Sequence, residues 1–215
     1  MLKIAFSIFL TLLLVQAAAA FPLEHHHTND HHHDHEKPCF MTGPFPVPKH
    51  VKTDMKVECL KGKQPFKDVP DVSFRHLNYS FMDFQQKPAL SPVGYALEFF
   101  TPQTRNAAMT EALETVLTIY DATNAGLRSW GKEKKEDVKK IKGPCFYLGF
   151  QRAISLGKMD LASHLLGKVL KNCVGCKHGE REKVIAIAKQ HHVKVPESAQ
   201  TAHTGGDSHH TNHKN

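Results

Sequence analysis

Imidazole and carboxylate are crowded together near the start of this chain. His25, His26 and His27 are followed by Asp30, then His31, His32, His33, Asp34, His35 and Glu36. A sparser group lies near the other end, at His203, His209, His210 and His213. Neutral imidazole binds Zn, Cu and Ni, and neighbouring carboxylates supply charge and hydrogen-bond acceptors around such ions. Several overlapping ligand sets are available, so the expected binding is multisite and weakly selective. Protons compete for the same nitrogens, so affinity should rise through the imidazole pKa of about 6.5. The expected ions are Zn or Cu, with no obligatory cofactor. His25 to His35 are read as the primary ligands and His203 to His213 as auxiliary ones.

Histidines elsewhere are isolated. His50, His76, His164 and His178 stand alone in the sequence, and His164 adjoins an apolar helix face, where a hydrogen-bonded boundary role is expected. His191 and His192 fall at a predicted helix end, where a positive charge suits the helix dipole.

Cysteine supplies the second chemistry. Cys39, Cys59, Cys145, Cys173 and Cys176 follow an N-terminal stretch that reads as a secretory signal. Lys3 provides its positive charge, Ile4 to Val15 its apolar segment, and Ala18 and Ala20 the small residues before a cut ahead of Phe21. The predicted location is therefore secreted and extracellular, and disulfides are the default there. A helical hairpin turning at Gly157 to Met159 would bring Cys145 to Cys173 or Cys176. A second bridge would join Cys39 to Cys59, or one of them to the cysteine left over. The odd thiol would stay free or link two chains into a disulfide-bonded dimer.

Cys173-Val174-Gly175-Cys176 also spells a CxxC. Redox pairs of this kind usually open a helix, whose N-terminus lowers the thiol pKa. This one closes a helix, and Lys177 occupies the place where a haem site needs histidine. A structural disulfide is the expected role. Asn78-Tyr79-Ser80 is an N-glycosylation sequon.

The elements that must carry these groups follow from periodicity. Residues 1–20 are the signal, 21–50 a His/Pro-rich disordered tail and linker, 51–195 one globular domain, and 196–215 a disordered His-rich tail. Val51, Thr53, Met55, Val57 and Cys59 alternate with charged residues, as in a half-buried strand. Val72 to Phe84 is aromatic and β-rich, and Tyr95, Leu97 and Phe99 alternate again. Three strands in a short antiparallel segment, about 51–100, are predicted.

From Pro102 the period becomes helical. Thr101 is the expected cap and Pro102 the first helical residue, with a stripe of Met109, Ala112, Leu113, Val116, Leu117 and Tyr120 and a stop near Gly126. A lysine-rich helix over 132–142 should break at Gly143-Pro144. Another begins at Cys145 and ends at Gly157. A partner capped by Asp160 runs to about Asn172, with Leu161, Leu165 and Leu166 on its apolar face. A last helix spans Glu180 to His192. The expected fold class is α+β: the short antiparallel segment, then a disulfide-stapled helical bundle over about 102–192, flanked by disordered His-rich tails.

The formal net charge is +7. That balance favours anionic glycans or an acidic extracellular protein as partners. The lysines are scattered and lack accompanying aromatic motifs, so nucleic acid is not expected. No span should remain in a membrane once the signal is removed. There is no nucleophile elbow, phosphate loop, His-Glu-x-x-His or calcium loop, so a non-enzymatic protein is expected. The sequence thus reads as a secreted binder of divalent metal ions. One alternative is a carrier or interaction module, in which Phe74, Phe81, Phe84, Phe99 and Phe100 would line an apolar pocket. Another is a structural component of an extracellular matrix or secretion.

Overall fold

Alternating burial begins where the sequence alternates: Lys52, Asp54, Lys56 and Glu58 face solvent, whereas Met55 is buried and Val51, Val57 and Cys59 pack against the core. The backbone, however, joins a ladder only at the end of this run. In the computed structural model, which describes residues 37–197, β1 is Glu58–Leu60, β2 is Asp71–Phe74 and β3 is Leu77–Asn78. They form one antiparallel sheet in the order β1-β2-β3, with Cys59 opposite Val72 and Phe74 opposite Leu77. The turn between β2 and β3 consists of Arg75 and His76, both at positive φ (50° and 65°). That backbone matches the twist of a two-residue hairpin; histidine tolerates it better than most side chains, whereas arginine has no such preference. Arg75 is held there by its ion pair with Glu111 and by the Phe74 ring, 5.2 Å beneath its guanidinium.

The third predicted strand is a helix. Ser91 accepts the Gly94 N–H on its hydroxyl, and Pro92 occupies the first turn of α1 (Pro92–Phe99). Tyr95 and Phe99 lie one turn apart, with ring centroids 4.6 Å from each other. Their spacing of four fits a helix as readily as the alternation fits a strand, and the cap decides between them.

The next helix starts later than predicted. Asn106, not Thr101, accepts the Met109 N–H and caps α2 (Ala107–Ser129). Gly126 does not end α2. It is buried where the Phe40 carbonyl crosses the helix, and a Cβ there would lie 2.6 Å from that oxygen.

A second correction concerns Gly143-Pro144. α3 (Lys135–Ser155) runs straight through it, with Pro144 inside the helix. Val138 and Ile141 before the proline and Cys145 and Leu148 after it are all buried. Burial on both sides outweighs the lost hydrogen bond, on the order of 3 kcal/mol. Gly143 itself lets Val93 and the Asn172 carbonyl approach the helix closely.

α4 (Met159–Lys171) folds back on α3 as the predicted hairpin, through a turn with Gly157 at φ 67°. Lys158 stands at its cap without a side-chain bond, and Asp160 lies in the first turn instead. Leu161, expected on the apolar face, is 44% exposed. α5 (Glu180–Gln190) completes the bundle.

Sheet and bundle share one core. Phe66 meets Tyr79, Tyr79 meets Tyr120, Tyr120 meets Phe100, and Phe100 meets Tyr95, with centroids 5.1–5.6 Å apart at every step. The packed body also starts earlier than Val51. Phe40 is completely buried and Met41 packs against the core, so the chain already meets the body there, whereas Pro44 to His50 are mostly exposed. Among the described residues, no helix is long and apolar enough to cross a membrane.

Candidate functional site

Both histidine clusters fall outside the described residues: His25, His26, His27, His31, His32, His33 and His35 before Lys37, and His203, His209, His210 and His213 after Glu197. What the structure does show is how the body holds the residues that adjoin them. Cys39 is bonded to Cys59, which fixes the chain just after the first cluster to β1. Phe40 enters the core beside Gly126. The Gly43 N–H donates to the Ser129 hydroxyl at 2.9 Å, the Phe45 N–H donates to the Ser129 carbonyl at 2.9 Å, and the Trp130 indole donates to Thr42 Oγ1 at 3.1 Å. At the other end Val193 is buried, the Ser163 hydroxyl donates to the Lys194 carbonyl at 2.7 Å, and Pro196 rests on Gly167. The anchors belong to different parts of the bundle: one at the end of α2, the other on α4.

The cysteines are arranged differently from the hairpin staple. Cys173 is bonded to Cys176 and Cys39 to Cys59, leaving Cys145 as the free thiol. Continuous helix through Pro144 explains this. It places Cys145 inside the bundle, where its thiol donates to the Tyr120 carbonyl at 3.7 Å and is withdrawn from both Cys173 and the surface. Burial and the neighbouring Asp121 carboxylate push that thiol well above its usual pKa, so it is protonated and unreactive. Burial likewise raises Asp121 to about 6, against the opposing attraction of Lys52.

The local Cys173–Cys176 bridge closes α4 beside a buried carboxylate. Glu180 accepts from the Ser91 hydroxyl at 2.6 Å and from the Lys177 N–H at 2.7 Å, and the Ser91 hydroxyl also lies 3.6 Å from Cys176 Sγ. Gly94 gives the carboxylate its room, because a Cβ would fall 1.9 Å from Glu180 Oε1 and displace it. The group ties α1 to α5 and has the character of a lock rather than a reactive centre.

The isolated histidines are not gathered. His50, His76, His164 and His178 are exposed, His164 lying on the open side of its helix and not at a buried boundary. His191 accepts a hydrogen bond on Nε2 from Arg105 Nε at 3.2 Å. Burial and the positive charge of Arg105 lower its pKa, so it is a neutral acceptor instead of a cation placed against the helix dipole. The same guanidinium donates to Gln151 Oε1 at 2.7 Å and to Ser155 Oγ at 3.1 Å. Gln151 in turn donates to the Tyr147 hydroxyl at 2.7 Å. Nothing in the sequence flagged this network, because Arg105 and Gln151 are distant and belong to no motif. Among the described residues, no group of three or more His, Cys, Asp or Glu side chains could hold a metal ion.

The aromatic residues proposed for a pocket are dispersed. Phe84 packs on Phe66, Phe99 on Tyr95, and Phe100 between Tyr95 and Tyr120, while Phe74 lies under Arg75 and Phe81 is 65% exposed. Asn78 terminates β3 and caps a 3-10 turn, its Oδ1 accepting the Phe81 N–H at 3.2 Å.

Comparison with known proteins adds a family and no activity. A family model described as a domain of unknown function, DUF7143, matches residues 41–192. No curated protein matches the chain, and no solved structure does.

Proposed function

The chain belongs to the DUF7143 family, and from that premise we propose that it is a secreted, non-enzymatic protein that binds divalent metal ions through its histidine-rich segments. The reading is carried by one observation. His25 to His35 interleave imidazoles with Asp30 and Asp34, only a few residues before a disulfide-anchored point at Cys39. Such a donor set suits Zn or Cu, and no fixed geometry is needed for adaptable, multisite binding. His203, His209, His210 and His213 add auxiliary ligands. Secretion is supported by the residues of the N-terminal signal and by two disulfides, which persist in oxidising compartments.

In this reading the body is a scaffold. Its match to the family covers residues 41–192 and so leaves both histidine clusters outside. The metal chemistry is accordingly assigned to segments appended to the family domain, not to the domain.

Zinc titration calorimetry on the chain beginning at Phe21, beside a form lacking residues 21–36, tests the assignment. The longer form is expected to bind more than one zinc ion at pH 7.5, and the shorter form to lose most of that capacity. Equal binding by the two would reject the assignment to His25–His35.

A further inference from the structure

Between α4 and α5 lies an open groove of about 620 Å³. His164, Lys168 and Lys171 from α4 and Arg181 from α5 line it, with Asp160 the sole acidic residue at its border. The three basic positions on α4 recur at intervals of four and three, so they share one helix face and rise over about 10 Å of its axis. Among the described residues, no ion pair or hydrogen bond engages the side chains of Lys168, Lys171 or Arg181. Some basic residues elsewhere are neutralised: Arg75 pairs with Glu111, Arg152 with Glu114, and Lys139 with Glu136.

The groove's outer wall is held in place. The Ser163 hydroxyl grips the Lys194 carbonyl, and Pro196 seats on Gly167, so the chain after α5 forms a rim along α4. The cations therefore line a concave surface, where like charges reinforce one another's field.

We propose that this groove is a binding site for a sulfated oligosaccharide. Several observations select that occupant. Lys168 and Lys171 from one helix and Arg181 from another offer more cationic groups than one isolated sulfate or phosphate needs, and suit anionic groups repeated along a chain. The lining has no Phe, Tyr or Trp, its one ring being the His164 imidazole and its apolar members Leu170 and Pro196, whereas single-stranded nucleic acid is held largely by stacking of its bases on aromatic platforms. Acidic polysaccharide needs no stacking surface and is bound by ammonium and guanidinium groups through its sulfates. The site is independent of the histidine-rich segments, so it stands or falls apart from the metal reading.

The test uses the chain from Phe21 onward, stripped of metal and kept in metal-free buffer at pH 7.5, where most imidazoles are neutral. A size-defined heparin hexasaccharide is titrated against the wild type, a groove variant (Lys168→Gln with Arg181→Gln) and a control (Lys135→Gln with Lys140→Gln on exposed α3). Melting temperatures of all three are recorded. Both variants lose the same net charge. The groove variant is expected to bind at least tenfold more weakly and the control less than twofold more weakly, with a shallower salt dependence only in the groove variant. Equal weakening in both variants would mean general attraction to a basic protein and would overturn the proposal. So would absence of wild-type binding, or tighter binding of a single-stranded oligonucleotide or of polyphosphate than of the hexasaccharide. If the groove variant melts early, Lys171→Gln, at an exposed position, is compared with Lys140→Gln alone, again at equal charge loss.

Discussion

Gly126 shows how one atom positions a whole segment. Replacing a helix-interior glycine with alanine ordinarily stabilises a helix by about 1 kcal/mol. Here the new methyl would meet the Phe40 carbonyl at 2.6 Å, and backbone cannot move aside as a flexible side chain can. Gly126→Ala is therefore expected to lower stability by about 1–3 kcal/mol in urea unfolding. Asp121 makes a pH-dependent counterpart. Its folded pKa, raised to about 6, lies above the unfolded value near 3.9, so the folded state binds the extra proton between these limits. The penalty is absent below pH 4, grows through pH 6 and is complete at neutrality. Asp121→Asn should thus gain about 1 kcal/mol at pH 7, a figure discounted for partial exposure, and the gain should vanish near pH 4. An unchanged difference across that range would place the effect elsewhere. At this scale local motifs, the sequon at Asn78 and the run His25 to His35, can be seen without a fold. Arg105, Gln151 and His191 cannot, because only the bundle brings them together.

Elements were legible in proportion to how far local signals agreed. The hairpin of α3 and α4 and the alternating face of residues 51–59 follow from periodicity alone. Tyr95 to Phe99 did not, since a spacing of two over five residues also contains a spacing of four, and Ser91-Pro92 then selects the helix. Gly143-Pro144 was misleading for a different reason. Its local preference is to break a helix, and burial on both sides overrides it. That override also decides the disulfides, by keeping Cys145 inside. In the chain-entropy model the Cys39–Cys59 bridge, with a sequence separation of 20, contributes about 3 kcal/mol, and Cys173–Cys176, separated by 3, about 2 kcal/mol. Cys39→Ala with Cys59→Ala should be the more damaging pair, by thermal melting under non-reducing conditions. A thiol reagent should meanwhile detect no cysteine in the native protein and one after denaturation. A native thiol titrating at once would contradict the placement of Cys145.

For the whole molecule, the proposed account divides labour between a family body and the residues flanking it. Two disulfides, an aromatic core shared by sheet and helices, and separate anchors near residues 40 and 194 make the body a firm support. The α+β order was legible because the period of the sequence changes once, read at Pro102, from two to about 3.6, although the first helix already begins at Pro92. The body's early start at Phe40 was hidden by the prolines that follow it, whose extended character resembles a linker. Among the described residues no three metal-ligating side chains are held together; the proposed cation capture rests on the donor run His25–His35 and its echo at His203–His213. The most direct measurement is the metal content of protein secreted from its native source and purified without chelators. Elemental mass spectrometry should find zinc or copper bound at pH 7.5 and released by pH 5, as imidazoles of pKa about 6.5 take up protons. Protein that arrives empty, and stays empty when either ion is supplied at pH 7.5, would contradict the account.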